Sequence, residues 1–194
     1  MAYTKKTLLD LKQSLADRHD SGVLPTSSAT LAFWTRLLNN GINYCADKLR
    51  LGKETTLTTV NGTIALPDDF LVINKVFKGT TQLSMISSDD NDFKVGLVYW
   101  ISGNHFDGFF LNTTEDTDYT VDYSYKPAEL VNNTDLCIIP DPEAPVAYAY
   151  GMLRKSETDP IGDASQALAE CDARLSEIQD VYSINSNVGG FVIE

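Results

Sequence analysis

The 194-residue sequence lacks any apolar run of the length that a membrane-spanning helix needs, roughly 20 residues. Its first ten residues include the adjacent Lys5 and Lys6, but they lack the apolar core of a signal peptide. We therefore expect the chain to be cytosolic when it is made. Hydrophobic residues make up 43% of the sequence, which is ordinary for a folded protein, so the chain can bury a core.

Cysteine is scarce. The three cysteines, Cys45, Cys137 and Cys171, lie far apart and form no CxxC or Cys/His cluster. This spacing predicts neither a zinc site nor a disulfide framework. We expect each cysteine to be a small buried hydrophobic side chain.

Basic residues are also few. Fifteen Lys and Arg oppose 27 Asp and Glu, for a net charge of -12. Such a surplus of acid argues against affinity for a nucleic-acid backbone, which requires clustered cations. The acid is concentrated between residues 86 and 125, where Lys94 is the only basic residue.

The sequence contains no recognisable catalytic motif. Its two histidines, His19 and His105, lie beside no nucleophile motif, and there is no P-loop or Gly-x-Gly-x-x-Gly. The acidic segment 88–92 lacks the residue order of an EF-hand, and the carboxylates at 115–118 are typical of a solvated turn. We therefore predict a protein that is not an enzyme, with no catalytic, cofactor-binding or metal-binding residues.

Apolar residues at helical spacing occur at both ends of the sequence. A first helix is predicted from about Thr4 to Arg18, and a second along the apolar stripe from Leu31 to Leu49. The pairs Asp141-Pro142 and Asp159-Pro160 place a capping acid and a proline before two further helices.

In the middle of the sequence apolar and polar residues alternate with a period of two, which is typical of strands. Asn61-Gly62 is a strong hairpin signal between two Thr-rich runs. The predicted strands are Thr55–Val60, Thr63–Leu66, Phe70–Lys78, Thr81–Ile86, Val95–Ile101, Phe106–Leu111 and Tyr119–Tyr125.

Together these patterns predict an α+β fold in which N- and C-terminal helices form a helical bundle and an antiparallel β-sandwich or barrel domain is inserted between them. The expected bundle domain comprises residues 1–54 and 140–183. The expected β domain comprises residues 55–139, and residues 184–194 form an extended C-terminal arm.

Two segments are candidate protein interfaces. The last helix carries a heptad seam that requires close helical neighbours, from its own bundle or from another subunit. The arm ends in a β-forming tripeptide after Gly189-Gly190, suited to adding a strand to a partner or to its own sheet. The candidate interface residues are Ile161, Ala164, Leu168, Leu175, Ile178, Phe191, Val192 and Ile193.

The order of these features resembles the head-to-tail adaptor (connector) proteins of tailed bacteriophages. The resemblance covers roughly residues 4 to 185, and it is carried by the Trp-bearing segment Phe33–Asn39, by Leu66–Phe70, by Tyr99–Gly103 and by Tyr119–Leu130. It implies a structural subunit of the virion at the head–tail junction, assembled in the host bacterial cytoplasm. It also implies a ring, usually a dodecamer, that binds the portal protein and a downstream tail or nozzle protein. DNA would pass through this ring without specific binding.

Two other functions fit parts of the sequence. The acidic, aromatic middle is compatible with a β-domain recognition or tail protein that binds a host surface glycan or receptor. The mid-chain carboxylates are compatible with a cell-wall hydrolase. The helices that frame the β region at both ends favour the adaptor.

Overall fold

The computed structural model describes residues 4–19, 22–86, 98–104, 108–157, 161–183 and 191–192. The described residues form an α+β fold in which helices flank a β region, as predicted. The helices are α1 (Leu8–His19), α2 (Ser28–Leu49), α3 (Glu143–Ser156) and α4 (Ile161–Ser183). The strands are β1 (Leu51–Thr58), β2 (Thr63–Ala65), β3 (Phe70–Lys78), β4 (Thr81–Gln82), β5 (Ser84–Met85), β6 (Val98–Asn104), β7 (Gly108–Thr113), β8 (Asp118–Tyr125) and β9 (Phe191–Val192).

The chain divides into a helical unit, Met1–Leu49 with Pro127–Val188, and a β unit, Arg50–Lys126 with Gly189–Glu194. Both boundaries differ from those expected from sequence. Strand β1 begins at Leu51, directly after Arg50 with its φ of 50°, so a boundary at residue 55 would fall inside that strand. Residues 127–139 group with the helices because their backbone bonds to the start of α1.

Helix α1 begins at Leu8 rather than near Thr4. The Thr7 amide donates to Asp10 Oδ2 at 2.9 Å, and the Asp10 amide donates to Thr7 Oγ1 at 3.2 Å. This reciprocal pair is a capping box, which satisfies amides that the first helical turn leaves unpaired. Lys6, the residue before this capping box, is bonded to a distant segment instead of continuing the helix, since the Cys137 amide donates to the Lys6 carbonyl at 2.9 Å.

Helix α3 is the packing centre of the helical unit. It is rich in alanine, and it contacts α1, α2 and α4. The absence of a side chain at Gly41 lets α2 approach α3 closely, because a Cβ there would lie 2.6 Å from the Pro145 carbonyl oxygen. The predicted cap is present at the start of α3, where Asp141 Oδ1 accepts from the Glu143 amide at 3.0 Å.

The β unit contains a five-stranded sheet in the order β4-β3-β8-β1-β9 and a four-stranded sheet in the order β2-β7-β6-β5. Most pairs are antiparallel, but β1–β9 and β5–β6 are short parallel pairs. The two sheets share one buried core, as in a sandwich. Its members are Leu66, Ile73, Val76, Leu83, Tyr99, Leu111, Tyr119, Val121 and Tyr123.

The predicted hairpin at Asn61-Gly62 is only a tight turn. Both residues have positive φ, 55° and 71°, and Val60 and Thr63 form a single bridge across the turn. Strand β1 then pairs with β8 in one sheet, whereas β2 pairs with β7 in the other. The predicted strand Thr81–Ile86 is likewise divided between the two sheets, with Leu83 buried in the core at the break.

Candidate interaction surfaces

The C-terminal arm reaches the sheet of its own chain. Phe191 and Val192 pair in parallel with Leu51 and Gly52, so β9 forms the edge of the five-stranded sheet next to β1. The third predicted arm residue, Ile193, lies outside the described residues, as do 184–190. Strand β9 pairs with only the first two residues of β1. Within the described part of the chain, the remaining residues of β1 therefore pair with β8 alone.

The heptad seam of α4 faces the interior of its own bundle. Ala164, Leu175 and Ile178 are at most 5% exposed, and Leu168 lies against Gly151 of α3. Ile161 is the first residue of α4. The buried side chains cannot contact another subunit without opening the bundle. Of the two possible sources of close helical neighbours, their own bundle supplies them, and a role of the seam as a subunit interface stays a prediction.

The opposite side of α4 is exposed and acidic. Ala169, Ala173 and Ser176 form a stripe of small side chains, with Asp172 on one side and Glu177 on the other. The only basic residue of α4, Arg174, is turned away to contact Glu170 and Asp141. We call this stripe with its two acids the outer face of α4.

A groove with a volume of about 460 Å³ opens along α2 in the helical unit. We call it the α2 groove. Its floor is fixed by Asn39, which exchanges two hydrogen bonds with the Leu130 backbone at 2.9 and 3.0 Å. Its lining includes Lys12, Ala32, Arg36, Asn39, Glu129, Leu130 and Val131. Sequence reasoning missed this groove, although a lysine at position 12 beside the buried Leu8, Leu11 and Leu15 of α1 was a usable signal.

An ion-pair network joins α1 to α4 and to the start of α3. Arg18 donates to both carboxylate oxygens of Glu170, at 2.9 Å each, and contacts Glu143 at 3.3 Å. Arg174 bonds Glu170 at 2.9 Å and Asp141 at 2.8 Å. Bidentate arginine–carboxylate pairs combine charge with fixed geometry, so the network sets the placement of α4.

This network makes the helical unit sensitive to acid. The hydrogen bonds from Arg18, followed by those from Arg174, outweigh burial and lower the pKa of Glu170 from 4.5 to about 2. A depressed pKa stabilises the fold fully above pH 4.5, and this contribution is lost as the pH falls toward 2. Because the side chain is 37% exposed, we expect a solvent-screened loss of about 1–2 kcal/mol.

Urea unfolding of wild type and Glu170→Gln at pH 7 and pH 3 measures this loss. Glu170→Gln should be less stable than wild type at pH 7, with a smaller difference at pH 3. Glu177→Gln, at an exposed position of the same helix, is the matched control and should follow wild type. Equal acid sensitivity in wild type and Glu170→Gln would contradict the assignment.

The carboxylates at 115–118 have structural partners. Asp116 accepts the Asn61 and Gly62 amides at 3.0 and 2.6 Å, and Glu115 pairs with Lys78. They stabilise turns between strands. His19 contacts Glu157 at 2.8 Å and packs edge-on against Trp34, whereas His105 lies outside the described residues.

Among the described residues, no three His, Cys, Asp or Glu side chains lie together in a way that could hold a metal ion. Within that same part of the chain, no helix is long and apolar enough to cross a membrane. The cysteines Cys45, Cys137 and Cys171 are buried free thiols, as predicted.

The family model described as SU10 adaptor protein matches residues 6–189, which cover most of both units and end before β9. No curated protein matches the chain.

Proposed function

The chain belongs to the SU10 adaptor protein family, and on that premise we propose that it is a structural head-to-tail adaptor of a tailed-phage virion. In this proposal it forms a ring beneath the portal protein, a dodecamer as is usual for such adaptors. The ring extends the DNA channel and docks the next tail or nozzle protein. The observation that carries the proposal is the family match over residues 6–189.

The charge of the chain supports a passive role toward DNA. A ring of subunits that each carry a net charge of -12 repels the phosphate backbone and lets DNA slide. We expect no dissociation constant below about 1 μM for duplex DNA at physiological salt. Fluorescence anisotropy with a labelled duplex measures it, and tighter binding would contradict a repelling channel.

The arm is the candidate contact with the portal. The edge of β1 has unpaired backbone groups beyond Gly52 in the described structure, and β9 is held there through only two residues. Short edge pairings exchange readily for a longer pairing with another chain. We propose that Phe191, Val192 and Ile193 form the contact with the portal. On docking, β9 either detaches from β1 to pair with the portal, or the arm lengthens its pairing with β1 beside the portal.

Light scattering tests the assembly directly. The mass of the protein is measured alone, and then with portal protein from the same virion over a range of salt concentrations. We expect a portal-bound ring. A portal from an unrelated phage is the control for specificity, and a variant that ends at Ser183 tests the arm, because docking should weaken without it. No association with the cognate portal at any salt concentration would overturn the proposal and favour the recognition protein.

A further inference from the structure

Lys12 and Arg36 give the α2 groove two cations against one carboxylate, that of the exposed Glu129. Neither cation forms an ion pair with an acid among the described residues. The Lys12 side chain donates to Asn133 Oδ1 at 3.1 Å, and the residue is only 8% exposed. Burial lowers the pKa of Lys12. The Arg36 guanidinium lies 5.3 Å from the centre of the Phe33 ring and is exposed. A buried cation is costly unless a carboxylate pairs with it, so the groove favours an acidic occupant.

The groove also offers apolar surface. Leu130 is buried beneath it, and Val131 at its edge is 73% exposed. Because Asn39 fixes the Leu130 backbone, this surface is pre-organised and loses little entropy on binding. Two cations beside apolar carbon fit a protein surface that carries acids at the margins of a small-residue stripe.

The outer face of α4 has this composition. Its stripe of Ala169, Ala173 and Ser176 permits a close approach, and Asp172 and Glu177 flank it. Asp172 also accepts a hydrogen bond from the Tyr44 hydroxyl at 2.7 Å, which holds it at the α2 side of the helix. The two surfaces therefore carry opposite charges, and the small side chains of the stripe leave room for a neighbour to pack closely.

The two surfaces point in different directions within the helical unit. Tyr44 and Lys48 of α2 bond to α4, whereas Ala32 and Arg36 line the groove. At about 100° per residue, these two sets lie roughly 120° apart around α2, so the two surfaces face different directions. A subunit with complementary surfaces that face different directions makes a head-to-tail contact, which closes into a ring if the rotation allows.

We infer that the α2 groove of one subunit receives the outer face of α4 of a second copy of this chain, with Arg36 and Lys12 facing its acids. This contact deepens the proposed function, on which it rests, by naming the lateral surfaces of the ring.

Crosslinking in solution tests the contact without requiring the portal. The double variant Val131→Cys/Ala173→Cys is treated with a short bismaleimide, alone at high concentration and with portal, and separated under denaturing conditions. We expect a ladder of covalent oligomers. The native cysteines are buried and should not react. The control Val60→Cys/Ala173→Cys moves one thiol to the β unit, at a residue that is 64% exposed, and should give no ladder above random collision.

Charge reversal tests whether the cations direct the contact. Arg36→Glu in the double-cysteine background should lower the crosslinking rate about tenfold, since it places like charges together. Adding Glu177→Arg should restore most of the rate. A purely structural effect of Arg36→Glu would not be rescued by a second change on another helix. Equal rates in all three proteins would overturn the role of the charges.

The outcomes separate this contact from the proposed function. A ladder together with a portal-bound ring supports both. A ladder without portal binding supports the contact and overturns the adaptor role. A portal-bound ring without a ladder above the control overturns the contact and leaves the adaptor role standing. The absence of both overturns both.

Discussion

Arg174→Met should lower the free energy of unfolding of the helical unit by about 3–5 kcal/mol, because it leaves a buried carboxylate without its cation. The Asp141 side chain is only 5% exposed, and its Oδ2 lies 2.8 Å from Arg174 Nη1. Methionine fills a similar volume, so lost packing should contribute little. The same change also removes one of the arginines that bind Glu170.

The double variant Asp141→Asn/Arg174→Met separates charge from structure. A neutral asparagine removes the unpaired charge while keeping an oxygen that can accept the Glu143 amide at the start of α3. We expect the double variant to lose only about 1–2 kcal/mol, because removing both partners of a buried pair costs less than removing one. A double variant as unstable as the single variant would show that the ion pair is not the cause.

Urea unfolding followed by tryptophan emission provides the measurement. The chain contains two tryptophans, Trp34 in the helical unit and Trp100 in the β unit. In a Trp100→Phe background the emission therefore reports on the helical unit alone. Trp34 is 3% exposed, so its emission should shift clearly on unfolding.

Gly41→Ala should destabilise the helical unit by about 2–3 kcal/mol through overpacking. The added Cβ would lie 2.6 Å from the Pro145 carbonyl oxygen and 3.1 Å from its Cα, and these backbone atoms cannot rotate away. Alanine would otherwise favour the helix by about 1 kcal/mol relative to glycine, so a net loss isolates the steric effect.

Gly151→Ala is the matched control on α3. There the Cβ would meet Leu168 Cγ at 3.0 Å and the Ala164 carbonyl oxygen at 3.1 Å. The half-buried Leu168 side chain is flexible and can move aside. The Ala164 carbonyl oxygen is backbone, but at 3.1 Å rather than 2.6 Å it requires only a small shift, which the helix preference can offset. We expect Gly151→Ala to stay within about 1 kcal/mol of wild type. Equal losses at both positions would mean that the α2–α3 approach is no tighter than that of α3 and α4.

Much of the fold could be predicted from local pattern. The apolar stripe of α2, the caps before α3, and the strand Phe70–Lys78 are encoded by residues close together in sequence. Local pattern also predicted a turn at Asn61-Gly62, since both residues tolerate positive φ. It could not predict that the flanking strands join different sheets, because strand pairing depends on partners some fifty residues away such as Asn112 and Asp118.

The candidate site was less predictable than the fold. A heptad seam has the same pattern of apolar residues whether it packs against α3 or against another subunit. The sequence therefore left both possibilities open for α4. The tertiary structure decided it by placing Ala164, Leu175 and Ile178 against the helices of their own bundle. The same packing turned Ala169, Ala173 and Ser176 outward as the surface that a neighbour can reach.

By itself the sequence determined the α+β class, the excess of acidic residues and the absence of a recognisable catalytic motif, because composition and local periodicity carry these properties. The resemblance to phage adaptors was also visible in the sequence, in the order of segments such as Phe33–Asn39 and Tyr119–Leu130. Only the tertiary structure decided where the units divide, which face of α4 is free, and that Lys12 and Arg36 share one groove with Val131. These features arise from contacts between residues distant in the chain, and such contacts depend on how the helices and strands pack rather than on the pattern within any one of them.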